Sequence, residues 1–419
     1  MTATDTHRAI EAVWRIESAR IIAGLARMVR DVGLAEELAQ DALVAALEQW
    51  PAAGIPDNPG AWLMASAKHR AIDRLRRSKL LERKHGELGR ELQAQQELAV
   101  ANLENALDDD IGDDLLRLVF TACHPVLSSE GRVALTLRLL GGLTTDEIAR
   151  AFLVPEPTVA QRIVRAKRTL AEAQVPFEVP RGADRADRLS SVLEVIYLIF
   201  NEGYTATAGD DWLRPGLCED ALRLGRILAE LAPNEPEVHG LVALMEIQAS
   251  RSRARVGPSG VPILLLEQDR SRWDQLLIRR GLAALERADK MNSTRGPYTL
   301  QAAITACHAR AVRPEQTDWR RIVALYEELG RVTPSPVVEL NRAVAVSMAS
   351  GPAAGLELID ALMAEPSLKS YHLLPSVRGD LLFKLGRFAE AQTEFARAAS
   401  LTRNLRERDF LLARAEACG

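Results

Sequence analysis

The sequence has few cysteines and no long apolar run, and these absences disfavour several classes of protein. No apolar stretch approaches the roughly 18 residues that a membrane-spanning helix needs. The N-terminal residues 1–14 are polar and lack the apolar centre of a signal peptide. The four cysteines are far apart and form no CxxC pair, which argues against a zinc site and a disulfide framework. They are Cys123, Cys218, Cys307 and Cys418. We expect a cytoplasmic protein with reduced thiols and no bound metal.

The common enzyme signatures are also missing. The chain contains no GxxxxGK[ST] phosphate loop, no GxGxxG after a strand pattern, no HExxH and no GxSxG. Its seven histidines are scattered along the chain. The sequence therefore predicts neither a catalytic site nor a cofactor, although an enzyme in the C-terminal part stays an alternative.

Aromatic residues are scarce, and the composition favours helices. Aromatics make up 5% of 419 residues, while alanine, leucine, arginine and glutamate dominate. Charged residues make up 26% and apolar residues 47%, which is typical of a globular chain. We expect an all-α protein, and the length favours about three domains.

Charge is segregated along the chain rather than absent. The net charge of −4 excludes a uniformly basic protein but leaves room for local basic surfaces. Residues 68–85 carry eight Lys or Arg, residues 91–114 carry eight acids and no Lys or Arg, and residues 161–168 are basic again. Residues 175–188 contain two prolines, a glycine and alternating charges. This pattern predicts domains at 1–90, 115–175 and 190–419, joined by an acidic linker at 91–114 and a second linker at 176–189.

The C-terminal domain shows an internal repeat signal. Small and aromatic residues recur between residues 379 and 398 at the spacing of a tetratricopeptide unit, in which two antiparallel helices meet through small side chains. These residues are Gly379, Gly386, Phe388, Ala391, Phe395 and Ala398. We predict a domain of tetratricopeptide-like helix pairs.

Residues 141–170 carry the sharpest local motif. Thr144 or Thr145 can cap a first helix, Val154-Pro155 makes a turn, and a second helix follows with a buried stripe and a basic outer face. The stripe is Val159, Ile163, Ala166 and Leu170; the outer residues are Gln161, Arg162, Arg165 and Arg168. This is the pattern of a helix-turn-helix, whose second helix reads bases in the major groove. The alternative is an ordinary basic surface helix.

At this point the chain resembles a known family. The segments AEELAQDALVAALEQW, NPGAWLMASAKHRAIDRLRR and LTTDEIARAFLVPEPTVAQRIVRAKRTL resemble regions 2 and 4 of the sigma-70 family, specifically its extracytoplasmic-function (ECF) sigma factors. The resemblance covers residues 8–175. Beyond it, YLIFNEGYTAT, EQDRSRWD and the helical repeats look like the subgroup with a tetratricopeptide-type C-terminal extension.

The resemblance implies partners and site residues. A sigma factor binds the clamp coiled coil and the flap of RNA polymerase core, together with promoter DNA. The implied polymerase contacts are Gln40, Asp41, Val44 and Glu48. The implied −10 contacts are Asn58, Trp62, Lys68, His69, Arg70, Arg74, Arg76 and Arg77. The implied −35 contacts are Thr158, Gln161, Arg162, Arg165, Lys167 and Arg168.

Three of these assignments keep an alternative. Trp62 is either a core residue or a wedge at the melted bases. His69 stands where many relatives have asparagine, so it is either a base contact or a surface residue. The acidic linker either threads a basic channel of the polymerase or is a solvated spacer.

Residues 267–274, EQDRSRWD, are interpreted as a structural cluster. We predict a helix start around a buried tryptophan, with Arg270 and Arg272 close to carboxylates, Glu202 and Asp269 being the first candidates. The full predicted cluster is Glu202, Asp269, Arg270, Arg272, Trp273 and Asp274. We hypothesise that it orients the C-terminal domain against the two sigma modules by intramolecular contact.

The functional prediction is a sigma factor that directs initiation through the −10 and −35 elements, with its activity modulated by the C-terminal domain. Two non-enzymatic alternatives remain. One is a helix-turn-helix regulator that binds DNA without polymerase, and the other is a tetratricopeptide scaffold.

Overall fold

The computed structural model describes residues 3–83, 111–152, 154–205, 213–257, 262–291 and 294–419. In these segments every regular element is a helix, and the one β-type contact is an isolated bridge between Val256 and Pro262. The predicted all-α class is confirmed. The chain divides into two compact units, Met1–Ile196 and Tyr197–Gly419. Within the described segments, no helix combines the length and the apolar character that a bilayer crossing requires.

The first unit contains seven helices in its described part and the beginning of an eighth. They are α1 (Ala3–Val29), α2 (Val32–Ala53), α3 (Pro59–Arg83), α4 (Ile111–Ala122), α5 (Ser129–Leu139), α6 (Thr145–Phe152), α7 (Glu156–Glu172) and α8 (Ala183–Tyr204). Helix α8 crosses the boundary between the units.

Helix α2 packs closely against its neighbours because its inner face is made of alanines. Ala35, Ala39, Ala42 and Ala46 are fully buried, and such small side chains allow helix axes to approach. Asp31 begins the helix, since its carboxylate accepts a hydrogen bond from the backbone N–H of Leu34 at 2.8 Å. The exposed face of α2 is thereby fixed relative to α1 and α3.

Helices begin inside both predicted linkers. Helix α4 begins at Ile111, inside the predicted linker 91–114, and Asp114 is buried against Arg27 at 3.3 Å and Arg117 at 2.5 Å. An acid with two cationic partners belongs to a folded core, which a count of acids cannot reveal. Residues 91–110 lie outside the described residues. Helix α8 likewise begins at Ala183, inside the predicted linker 176–189.

The described part of the second unit consists of helices, most of which follow one another through short connections, whereas the connection at residues 250–274 is longer. After α8 come α9 (Pro215–Leu231), α10 (Pro236–Ala249), α11 (Gln275–Met291), α12 (Pro297–Arg310), α13 (Trp319–Val332), α14 (Pro336–Ser350), α15 (Pro352–Leu362), α16 (Leu373–Lys384), α17 (Phe388–Leu401) and α18 (Leu405–Glu416). Five of these helices begin with proline, which suits the first helical position because its missing N–H needs no partner there.

The repeat motif forms the predicted helix pair. Gly379 on α16 lies against the ring of Phe395 on α17, at a distance where a Cβ atom would stand 3.0 Å from the ring. Gly386 takes a positive φ of 74° in the turn between them. Membership of the tetratricopeptide family stays a prediction.

The EQDRSRWD segment is a helix start, but one predicted pairing is wrong. Trp273 is buried, and Asp274 caps α11 by accepting from the N–H groups of Leu276 and Leu277. Arg270 donates instead to the carbonyls of His308 at 2.7 Å and Ala311 at 2.5 Å. These carbonyls lie at the C-terminal end of α12, where helical partners run out.

The predicted carboxylates are engaged elsewhere. Glu202 pairs with Arg214, which stands immediately before α9. Asp269 accepts from the N–H and hydroxyl of Ser271, and these bonds, followed by the charge of Arg272, lower the pKa of the Asp269 carboxyl. Arg272 itself is exposed. Closeness in sequence could not reveal that Arg270 would donate to the carbonyl groups at the end of α12.

Candidate nucleic-acid interface

Helices α6 and α7 form a helix-turn-helix with a reciprocal cap. The hydroxyl of Thr144 accepts from the N–H of Glu147 at 3.1 Å, and the Glu147 carboxylate accepts from the N–H of Thr144 at 2.8 Å. Of the two threonines proposed as caps, Thr144 has this role. Arg15 of α1 holds the same carboxylate at 2.8 Å, which fixes the start of α6.

Helix α7 has one buried stripe and one exposed face. The stripe is the predicted one: Val159, Ile163, Ala166 and Leu170 are all buried. The exposed face consists of Gln161, Val164, Arg165 and Arg168. These positions are spaced by three or four residues, so they lie side by side on the helix. A row of an amide, an apolar group and two guanidinium groups can donate to base edges and contact a thymine methyl group.

Three residues predicted on this face are not fully exposed. Thr158, Arg162 and Lys167 are half-buried. The ammonium group of Lys167 pairs with the carboxylate of Glu36 on α2. Sequence reasoning missed Val164, which is 65% exposed in the centre of the face. Val164 follows Gln161 by three residues, and this spacing could have indicated that both lie on the same face of the helix.

Helix α3 carries a second basic surface. Asn58 begins this helix, because its side-chain oxygen accepts from the N–H of Ala61 at 3.1 Å. The remaining loop between α2 and α3 is short, residues 54–58. Lys68 is half-buried, whereas the other basic positions predicted here are exposed. These are His69, Arg70, Arg74, Arg76 and Arg77.

Trp62 packs against the buried Trp50. Their ring centroids lie 5.3 Å apart with the planes at 70°, an edge-to-face arrangement that stabilises aromatic pairs. Trp62 remains half-buried. The packing role considered for it is therefore present, and the exposed part of the ring lies at the start of the basic helix.

The outer face of α2 is mixed acidic and apolar. Asp41, Val44 and Glu48 are exposed, and so is Leu47, which the sequence reasoning did not single out. Gln40 is turned away from this strip, since its amide donates to Glu36 at 2.5 Å. Exposed valine and leucine between carboxylates are typical of a protein-binding surface.

A buried carboxylate joins α2 to the helix-turn-helix part. Glu36 is 3% exposed, and it accepts from the guanidinium of Arg138 on α5 at 2.6 Å as well as pairing with Lys167 on α7. Arg138 also donates to the carbonyl of Leu143 at 3.0 Å. Within the first unit, this junction holds the C-terminal part of α7 against α2.

Three family models match the chain. Sigma-70 region 2 matches residues 16–80, which contain α2 and parts of α1 and α3. Sigma-70 region 4 matches residues 117–170, which contain α5, α6 and most of α7. A family of unknown function (DUF6596) matches residues 188–289. The two candidate DNA-binding surfaces therefore lie in the matched regions.

Curated relatives fall into two groups. An uncharacterized protein of Rhizobium meliloti (strain 1021) is 44% identical over 92% of this chain and 90% of its own length. The ECF RNA polymerase sigma factor SigK of Mycobacterium ulcerans (strain Agy99) is 30% identical over 36% of this chain and 78% of its own length. The probable ECF RNA polymerase sigma factor SigI of Mycobacterium tuberculosis (strain CDC 1551 / Oshkosh) is 25% identical over 43% of this chain and 60% of its own length.

Proposed function

The chain belongs to the extracytoplasmic-function sigma factors of the sigma-70 family and carries a C-terminal extension, and from this we propose how its surfaces divide the work of initiation. The outer face of α2 binds RNA polymerase core, α3 binds the −10 element, and α7 binds the −35 element. The protein acts in the cytoplasm, and no catalytic role is assigned to either unit.

One observation carries this proposal: each of the two matched sigma regions contains its own basic helix, α3 in region 2 and α7 in region 4. A regulator that binds DNA only through a helix-turn-helix does not account for the region 2 match at residues 16–80. A scaffold does not account for the exposed row of Gln161, Arg165 and Arg168 on α7. Both alternatives leave part of the first unit unexplained.

The polymerase-binding role of α2 is supported by its exposed strip. Asp41, Val44 and Glu48 face solvent beside Leu47, while the opposite face is buried in the first unit. Apolar contact with a partner, framed by carboxylates that meet basic groups, gives both affinity and orientation.

We expect Asp41→Arg to weaken association with RNA polymerase core at least tenfold, because one rim carboxylate becomes a like charge against a basic partner surface. The measurement is the Kd for purified core polymerase by biolayer interferometry. Glu11→Arg is the matched control, since it makes the same charge change on the exposed part of α1. Equal affinity of Asp41→Arg and wild type would remove α2 from the docking surface.

The −10 role of α3 is supported by its basic surface and by its position after the Asn58 cap. Exposed arginines neutralise phosphates and release counterions, which makes such binding strongly dependent on salt. The exposed edge of Trp62 is suited to stacking an unpaired base, in addition to its packing on Trp50.

The −35 role of α7 is supported by the outward row on that helix. Arg165 lies in the middle of it, next to Val164 and one turn from Gln161 and Arg168. Arg168 is partly occupied by Glu172 at 2.7 Å, whereas Arg165 is exposed and has no ion pair within the described residues. Arg165 is therefore the first candidate for a bidentate contact with guanine.

We expect Arg165→Ala to lower initiation and flatten base preference at one position of the −35 element, with a loss of about 1–3 kcal/mol of discrimination. In vitro transcription from a library of −35 variants measures this. Arg150→Ala removes a similar exposed charge from α6 and should weaken binding without changing base preference. A preserved −35 preference in Arg165→Ala would contradict the assignment.

The second unit is proposed to modulate initiation. Support comes from its size and from the family match at residues 188–289, which no part of the −10 or −35 chemistry requires. Intramolecular contact with the two sigma regions remains part of this proposal.

A further inference from the structure

Two arginine side chains of the second unit lie against one buried tryptophan. The guanidinium carbon of Arg270 is 4.8 Å from the centroid of the Trp273 ring, and that of Arg251 is 6.0 Å from the same centroid. Arg251 also lies 5.8 Å from the centroid of the Tyr204 ring. We call Arg251, Arg270, Trp273 and His308 the Trp273 cluster.

The Trp273 cluster contains buried polar atoms that have no hydrogen-bond partner. They are Nε of Arg251, Nε of Arg270, Nε1 of Trp273 and Nδ1 of His308. The side chains of Trp273 and His308 are only 3% and 8% exposed. The arginine and tryptophan nitrogens can only donate. Buried donors are almost always paired in native proteins, so several in one place indicate that an acceptor is to be bound there.

The cluster also has positive charge without a bonded carboxylate. Arg270 is held by the carbonyls of His308 and Ala311 and by the hydroxyl of Thr317 at 3.5 Å. Arg251 takes part in no ion pair within the described residues. Of the acids predicted in this cluster, Asp269 is bound to Ser271, Glu202 is bound to Arg214, and Asp274 caps α11. Glu315 acts on Arg270 only through its charge.

His308 does not compensate the positive charge of the two arginines. Burial, with Arg251 and Arg270 nearby, lowers the pKa of its imidazole to about 3, so the ring is neutral at pH 7. Burial and the charge of Arg251 also lower the pKa of Arg270. Burial is the larger cause of both shifts, and the positive charge of the neighbouring arginines adds to it; a bound anion would oppose that second contribution.

We propose that the Trp273 cluster is a binding site for the oxyanion group, carboxylate or phosphate, of a small molecule. Arg251 is the principal ligand-binding residue, because its guanidinium is not engaged by a carboxylate and can bind an oxyanion through two parallel hydrogen bonds. Arg270 is fixed in place by the end of α12 and offers its charge and its Nε donor. The indole N–H of Trp273 adds a neutral donor.

Thermal unfolding of the full-length protein tests this site. Inorganic phosphate and malonate are added separately at constant ionic strength, with sodium chloride making up the difference, and isothermal titration calorimetry measures Kd for each. A ligand that binds only the folded state raises Tm in a saturable way. We expect saturable stabilisation by at least one of the two probes, and the better probe identifies the oxyanion as phosphate or carboxylate.

Arg251→Gln should raise the Kd of the better probe about tenfold or more. Without the probe, its Tm should equal or exceed that of wild type, because one of two repelling charges is removed. Arg251→Lys keeps the charge but loses the paired hydrogen bonds, and an intermediate Kd is expected. Arg253→Gln is the matched control: it removes an exposed arginine two residues away and should leave Kd unchanged.

Two results would overturn the site. One is the absence of a saturable shift in Tm with both phosphate and malonate. The other is a Kd in Arg251→Gln and Arg251→Lys equal to that of wild type, which would assign the bound anion to a different basic surface, such as α3 or α7. Both results leave the sigma-factor proposal intact, since they concern the second unit alone.

Discussion

Glu36→Ala is expected to lower the stability of the first unit by about 3 kcal/mol or more, because it strands two cations at once. Glu36 is 3% exposed and pairs with both Arg138 on α5 and Lys167 on α7. Removing one partner of a buried pair typically costs about 3–5 kcal/mol, and the partial exposure of Arg138 and Lys167 favours the lower part of that range.

Hydrogen exchange measured by mass spectrometry on the full-length protein reports this loss unit by unit. Peptides from α2, α5 and α7 should lose protection in Glu36→Ala, whereas peptides from the second unit should not. Glu37→Ala serves as the control, since Glu37 is the exposed neighbour on the same helix. Similar exchange in the two variants would show that the Glu36 junction does not stabilise the unit.

The Glu36 junction also bears on the −35 proposal. Lys167 was predicted to contact DNA, yet in this structure its ammonium group is held by Glu36. A DNA contact by Lys167 requires this pair to open, whereas Gln161 and Arg165 are exposed already. The −35 prediction for Lys167 therefore depends on a rearrangement within the first unit, and the predictions for Gln161 and Arg165 do not.

Local patterns in the sequence were reliable guides to the fold. The stripe of Val159, Ile163, Ala166 and Leu170 is buried as expected, because helical periodicity alone decides which side of α7 faces the core. The burial of Trp273 was also predicted correctly, since an indole ring at a helix start behind an apolar run has much to gain from packing.

Long-range pairing is what the sequence could not provide. Glu36 is 102 residues from Arg138, and Arg270 is 38 residues from the carbonyl of His308 that it binds. Glu202 was a first candidate for pairing with Arg270 and Arg272, but the fold brings Arg214 to Glu202 instead. Helix packing decides which cation pairs with which acceptor, and the residue types alone do not indicate it.

The same limit applies to the candidate DNA-binding face. Arg162 and Arg165 look equivalent in sequence, since both are basic and both flank the apolar stripe. In the structure Arg162 is half-buried and Arg165 is exposed. The two residues are three positions apart, which places them about 60° from each other around the helix axis. Only the packing of α7 against the rest of the first unit decides which of them faces solvent.

Phe395 is a fully buried aromatic residue of the helix pair α16–α17. Its ring is 1% exposed and lies against Gly379, where any side chain would stand 3.0 Å from the ring. The guanidinium of Arg414 on α18 lies 4.7 Å from the ring centroid. The ring therefore fills the space between three helices and also receives a cation–π contact.

We expect Phe395→Ala to lower the stability of the second unit by about 3–5 kcal/mol, because a buried aromatic ring is replaced by a cavity that helices of fixed spacing cannot close. Phe388→Ala is the matched control: Phe388 begins the same helix, is 47% exposed and contacts Phe383 edge to face at 5.2 Å, so a loss of about 1 kcal/mol is expected. Hydrogen exchange in peptides from α16, α17 and α18 measures both effects. If Phe388→Ala cost as much as Phe395→Ala, the repeat would be stabilised at its surface, and the interpretation of Gly379 and Phe395 as the centre of a packed helix pair would be wrong.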